Sequence, residues 1–185
     1  MRANSIRKYL KPVSIYGSRS TTINHAFATA LAPTSSYDER IIDEAMRALG
    51  QTAHDALTCV YCGSQATSWD HLVGLVKQKQ LSGYGHQIGN LVPCCAQCNS
   101  RKGGKDWRDY LRETTTDDQV LASRTAMLER YLSRFAHEIA LEDARQKAPT
   151  EFDEYERIRV QIFELMKEAD VLAAQLRAHI RPPAA

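Results

Sequence analysis

Apolar positions recur at two different periods along the chain, and the changes of period divide it into parts. In "YDERIIDEAMRALG", Ile41, Ile42, Ala45, Met46 and Leu49 fall on one helical face, with Asp38 placed to cap the helix and Gly50 to stop it. This predicts a short helix within 38–56. From 117 onward, Leu121, Thr125, Leu128, Leu132, Phe135 and Ile139 alternate spacings of four and three, which predicts a long helix over 117–147 that Pro149 breaks. A second helix begins near 151, with Tyr155, Ile158, Ile162, Leu165, Ala169, Leu172 and Leu176 at the same spacing. Two heptad-patterned helices joined by a short turn read as an antiparallel hairpin over 117–181. Such a hairpin serves either as scaffold or as an arm for homodimerisation or docking of a protein partner. Residues 1–37 are Ser/Thr/Ala-rich, hold Pro12 and Pro33, and show no sustained period; they read as a basic, loosely structured arm that orders on a partner.

The period shortens between 57 and 113. "TSWDHLV" is β-friendly, "IGNLVP" reads as a returning strand, the Gly-rich stretch 83–89 as a flexible connection, and the chain turns helical from Ala96. The expected class is therefore α+β, a small central module set between mostly helical flanks.

This module holds all five cysteines. Cys59 and Cys62 stand in "CVYC" and Cys95 and Cys98 in "CAQC", two C-x-x-C pairs with 32 residues between them. Four thiolates on two tight knuckles suit tetrahedral Zn²⁺, and four sulfurs close the ion's coordination, so the expected zinc is structural. A clamp of this kind supports a module of about 57 residues whose core is small. Cys94 is left over and reads as a buried thiol.

Net charge is only +2, but it is unevenly placed. Arg2, Arg7, Lys8, Lys11 and Arg19 lie in the first twenty residues with no acid among them. Residues 77–112 carry seven cations against Asp106 and Asp109, whereas from 117 acids outnumber bases thirteen to ten. One polyanion-facing surface is the reading that follows. No apolar run approaches the roughly 20 residues that span a bilayer, so no membrane association is expected. No signal-type apolar stretch follows the basic N-terminus, and a cytoplasmic location is the expectation.

Knuckle, strand with Asp70-His71, loop, strand opened by Asn90, then C-x-x-C-N-x-x-K leading into a helix: that order resembles the HNH (ββα-metal) endonuclease family. With Asn99 in third place it is similar to the family's H-N-N variants, and Lys102 follows three residues on. The resemblance covers about 57–113. It implies a zinc-stapled ββα-metal module that hydrolyses DNA phosphodiester bonds with a divalent ion such as Mg²⁺ held by Asp70 and Asn99. Both of these are oxygen donors, as a hard ion requires. His71, neutral near pH 7, takes the proton of the attacking water. Asn90 acts indirectly, fixing the loop that carries His71. Arg101, Lys102, Lys105 and Arg108 meet phosphate. His86, in "GYGHQIGN", reads as loop structure, with a rival base or a substrate contact as its alternative role. Trp107 and Tyr110 read as core rather than base-stacking residues.

Two other readings stand beside this one. The module is a non-catalytic zinc unit that binds DNA or a protein partner, or it is a nuclease subunit active only within a larger restriction, phage or defence complex. Phosphate chemistry is alike on both nucleic acids, which leaves RNA open as a substrate.

Overall fold

The computed structural model describes residues 3–78 and 80–180. In chain order come a 3-10 turn (Ala3–Lys8), α1 (Ile15–Ala30), α2 (Glu39–Ala48), β1 (Ser68–His71), β2 (Val76–Lys77) and β3 (Gln80–Leu81). A second 3-10 turn (Ile88–Asn90), β4 (Leu91–Cys94), α3 (Ala96–Lys102), α4 (Trp107–Thr114), α5 (Asp118–Phe135), α6 (Leu141–Lys147) and α7 (Pro149–His179) complete it. Helix and sheet are mixed, as an α+β class requires. The chain divides into two compact units, residues 28–143 and residues 1–27 with 144–185. Among the described residues no helix is long and apolar enough to cross a membrane.

In the first unit, α2 forms as its pattern predicts. The Asp38 carboxylate accepts from the amides of Arg40 and Ile41 at 2.9 and 3.3 Å, and Gly50 ends the helix with φ +70°. β1 and β4 pair antiparallel, with Ser68 opposite Cys94, Asp70 opposite Val92 and His71 opposite Leu91. α3 opens directly after β4, so the order strand, strand, helix is present. Trp107, Tyr110 and Leu111 of α4 pack with Leu128, Tyr131 and Leu132 of α5 under Met46, Tyr61, Leu72 and Val92. Each such buried side chain contributes about 1.5–3 kcal/mol over its exposed state. Trp107 and Tyr110 are thus core residues, as expected.

The helix expected over 117–147 ends at Phe135. Ala136 is extended, and the following backbone serves the loop before β4 instead: Ile139 N–H donates to the Gly83 carbonyl at 2.8 Å, and Gln87 Nε2 donates to the His137 carbonyl at 3.0 Å. Gly89 lies so close beneath that a Cβ there would stand 2.4 Å from Ala136 N. No Gly or Pro marks this break, because tertiary bonds rather than local propensity make it. The same bonds fix residues 83–89, which the glycines had suggested to be flexible.

In the other unit the expectation for residues 1–37 is corrected, since α1 occupies 15–30. Its sequence is a weak helix former with β-branched residues and a glycine, so it depends on a partner helix. That partner is α7. Tyr16 meets Phe163 edge-on at 5.8 Å, Asn24 accepts from Arg159 at 2.9 Å, and the Phe27 carbonyl accepts from Tyr155 Oη at 2.8 Å, an antiparallel pairing. Asp170 caps the start of α1, accepting from Ser14 Oγ, Ile15 N and Tyr16 N. The hairpin expected over 117–181 is corrected accordingly: its second helix is α7, and α7 pairs with α1. The heptad positions Leu165, Leu172 and Leu176 stay about 60% exposed.

Candidate active site

The site grows from the alternation of β1. Ser68 and Asp70 turn inward, and Trp69 and His71 turn to the opposite face. α3 crosses the inward face, bringing Asn99 and Lys102, one helical turn apart, over Ser68 and Asp70. Asn99 Nδ2 donates to Ser68 Oγ at 3.2 Å, and Ser68 Oγ donates to the Cys94 carbonyl at 3.1 Å.

Asp70 is buried and fully engaged. Lys102 Nζ lies 3.0 Å from Oδ2 and 3.3 Å from Oδ1, and Tyr61 Oη donates to Oδ2 at 2.8 Å. Lys102 is itself only 2% exposed and also donates to the His71 carbonyl at 2.8 Å. The reading of Lys102 as a surface phosphate contact is therefore corrected. Its ammonium neutralises a buried carboxylate and holds the main chain at His71. The sequence carried a signal for this, because Lys102 follows Cys98 by four residues and so shares the buried face of α3. Tyr61, inside the first knuckle, had no such signal.

His71, at the end of β1, is only partly buried. Asn90 ties the chain just after it to the segment before His86 with three bonds: Nδ2 donates to the Val73 and Gly85 carbonyls, both at 3.0 Å, and Oδ1 accepts from Val73 N–H at 2.8 Å. The ring of His71 meets a partner that the sequence had left in a loop. Its Nε2 lies 3.0 Å from Nδ1 of His86. Burial lowers the His71 pKa below the ordinary imidazole value, the charges of His86 and Lys102 add to the shift, and Asp70 opposes it.

The four knuckle sulfurs of Cys59, Cys62, Cys95 and Cys98 lie within 4.8 Å of one another. Cys62 Sγ and Cys95 Sγ are 3.7 Å apart, close to the edge of a tetrahedron with metal–sulfur bonds of about 2.3 Å. The group can hold a metal ion such as zinc. Cys95 also caps α3 by accepting from Cys98 N–H at 3.4 Å. Burial works to raise the Cys62 thiol, but hydrogen bonds from Ser64, Cys98 and Cys59 outweigh it and hold the pKa near about 6. Burial pushes Cys98 up to about 12. Cys94 is buried beside Cys59, at 4.0 Å between sulfurs, and outside the group of four.

The remaining basic residues line the surface beyond α3. Arg101 is exposed, Lys105 pairs with Glu113, and Arg108 pairs with Glu129 at 3.1 Å while lying over the Trp107 ring at 4.3 Å. Exposed pairs of this kind are weak and exchange readily for another anion.

Comparison with known proteins returns no matching family model, no matching characterised protein and no matching solved structure.

Proposed function

We propose that the chain is an endonuclease of the HNH type that hydrolyses phosphodiester bonds in DNA, with His71 as general base and a structural zinc on Cys59, Cys62, Cys95 and Cys98. One observation carries the reading: four side chains converge on the placing of a single, partly exposed imidazole. Lys102 holds the His71 carbonyl, Asn90 holds the chain that follows it at Val73, His86 meets the ring, and Asp70 anchors Lys102. A histidine that merely fills a core does not need such support.

In the reaction, a water beside His71 loses its proton to the imidazole as its oxygen attacks phosphorus, and the 3′ oxygen leaves with the bonding electrons and takes a proton from solvent. Arg101, with Lys105 and Arg108 farther along, offers charge to the phosphates on either side. The divalent ion implied by the resemblance is a separate matter. Asp70 and Asn99 flank one face of β1, but both oxygens of Asp70 are taken by Lys102 and Tyr61, and an ammonium at 3.0 Å repels a second cation. As arranged, these residues do not fit Mg²⁺, and no step is drawn through it.

The engagement of Asp70 favours the rival reading of a zinc module that binds nucleic acid without cutting it. Cleavage of supercoiled plasmid by the wild type and by His71→Ala, each with Mg²⁺ and with EDTA and matched for zinc content, separates the two. Cutting by the wild type alone supports the proposal, and its loss in EDTA while the zinc content is unchanged establishes the requirement for a further ion. Equal cutting by both proteins removes His71 from the mechanism. No cutting by either, with DNA retained in a gel-shift assay, favours the binding module.

A further inference from the structure

His86 stands on an exposed surface, yet its backbone is pinned from three sides. On one side the chain segment after α1 runs past as a strap. Thr34 pairs with His86 in a parallel bridge, Ser35 N–H donates to the His86 carbonyl at 3.1 Å, and Ser35 Oγ accepts from Ile88 N–H at 3.2 Å. On the second side, Asn90 Nδ2 donates to the Gly85 carbonyl. On the third, Gln87 Nε2 donates to the His137 carbonyl. Packing at Gly85 is tight enough that a Cβ would fall 2.0 Å from the Pro33 carbonyl oxygen. So much backbone support around an exposed ring does not serve burial, because the ring buries little. Nor does the bond between the imidazoles explain it as a stability device, since a single exposed hydrogen bond adds little net stability. The support fixes the backbone that carries His86, whose Nδ1 lies 3.0 Å from Nε2 of His71.

We propose that His86 is a positioning residue of the nuclease centre: its Nδ1, held by the strap of residues 33–35, accepts from Nε2–H of His71 and so leaves Nδ1 of His71 as the nitrogen that faces the attacking water. The inference rests on the nuclease reading above. Its chemistry follows from the tautomer. A neutral imidazole has one N–H and one lone pair, so committing Nε2–H to His86 places the lone pair on Nδ1. When the water gives its proton to Nδ1, His71 becomes an imidazolium, and its bond to His86 becomes charge-assisted and stronger. His86 then favours the transition state over the ground state without touching substrate. The strap gains a purpose in the same argument: Thr34 and Ser35, outside the motif-bearing segment, belong to the support of the site.

The test uses the full zinc-loaded chain and three proteins: wild type, His86→Ala and His86→Asn. An asparagine carries an acceptor oxygen the same number of bonds from Cβ as histidine Nδ1. Ring ¹⁵N chemical shifts of His71 report its tautomer whether or not the protein cuts DNA, and plasmid cleavage reports kcat and KM. The expected result is an Nε2–H tautomer at His71 in the wild type and His86→Asn, and a mixed tautomer in His86→Ala. Alongside it, kcat falls roughly 100-fold in His86→Ala with KM unchanged, and recovers most of the way in His86→Asn. An unchanged tautomer in His86→Ala overturns the pairing, and an unchanged kcat overturns the positioning role while the nuclease reading stands. A wild type that leaves plasmid uncut sinks the nuclease reading and this role with it, and the tautomer then reports only on the pairing.

Discussion

Burial of the His71 ring is the main cause of its shift, with the Lys102 ammonium adding to it and the Asp70 carboxylate opposing it. The net effect is a pKa below the ordinary value of about 6.5. A general base works in its neutral form, so activity is full above its pKa and lost as pH falls through it. If His71 is the proposed base, its depressed pKa keeps cleavage active below about pH 6.5. A kcat/KM profile whose acid limb lies at or above that value contradicts the assignment. The Asp70–Lys102 pair makes a second prediction at this scale. Lys102→Met leaves a buried carboxylate without its counter-ion and should cost about 3–5 kcal/mol in urea unfolding. Asp70→Asn in the same chain should recover part of that loss, since a neutral amide needs no cation. If the single variant is as stable as the wild type, the pair is not buried as described.

At the scale of elements, two segments that look unstructured in isolation are held by distant partners. Gly85 passes against Pro33 with no room for a side chain, so Gly85→Ala should displace the strap or the loop that carries His86. Its expected signature is faster amide exchange at Ser35 and Ile88, whose N–H groups bond across this contact, with the zinc content unchanged. Unaltered exchange there would show that the close approach is not maintained in solution. In the other unit, the Asp170 carboxylate caps α1 from another helix, and its hydrogen bond from Ser14, followed by those of the Ile15 and Tyr16 amides, holds its pKa below the usual range. Asp170→Ala should free those amides to exchange quickly while residues 88–94 keep their protection. Equal protection in both proteins would mean that α1 starts without this cap.

For the whole molecule, the cysteine group joins segments separated by 32 residues, so a metal ion held there would link its binding to folding of the 28–143 unit. Purified protein should carry one zinc per chain, and Cys98→Ser should abolish that stoichiometry and lower the melting temperature. Loading also has a proton count. Metal binding requires thiolates. At pH 7.5 Cys62, held near about 6, is already ionised, whereas Cys98, raised to about 12, must release its proton. Zinc binding to the apo protein should thus release fewer than four protons at pH 7.5, with the count rising toward four as pH drops toward 6. Calorimetry in two buffers of different ionisation enthalpy measures this, and a release of four protons at pH 7.5 would contradict the ionised state of Cys62.

Short-range chemistry made much of this protein legible in its sequence. The capped helix α2, the two knuckles, the paired strands around Asp70-His71 and Asn90, and the core roles of Trp107 and Tyr110 all follow from spacing and residue type, because local propensity and period are properties of neighbouring residues. An indirect role for Asn90 comes only from the resemblance, and its bonds to Val73 and Gly85 exist only once the fold has closed. Other features were decided only by the tertiary structure. Lys102 turns inward because Asp70 waits beneath α3, α5 stops at Phe135 because the following backbone bonds to the loop before β4, and His86 is fixed by residues about fifty positions away. α1 forms in a sequence with little helical preference because α7 supplies its cap and its aromatic contacts. In each of these cases the deciding partner is remote along the chain, and its position exists only once the fold has closed.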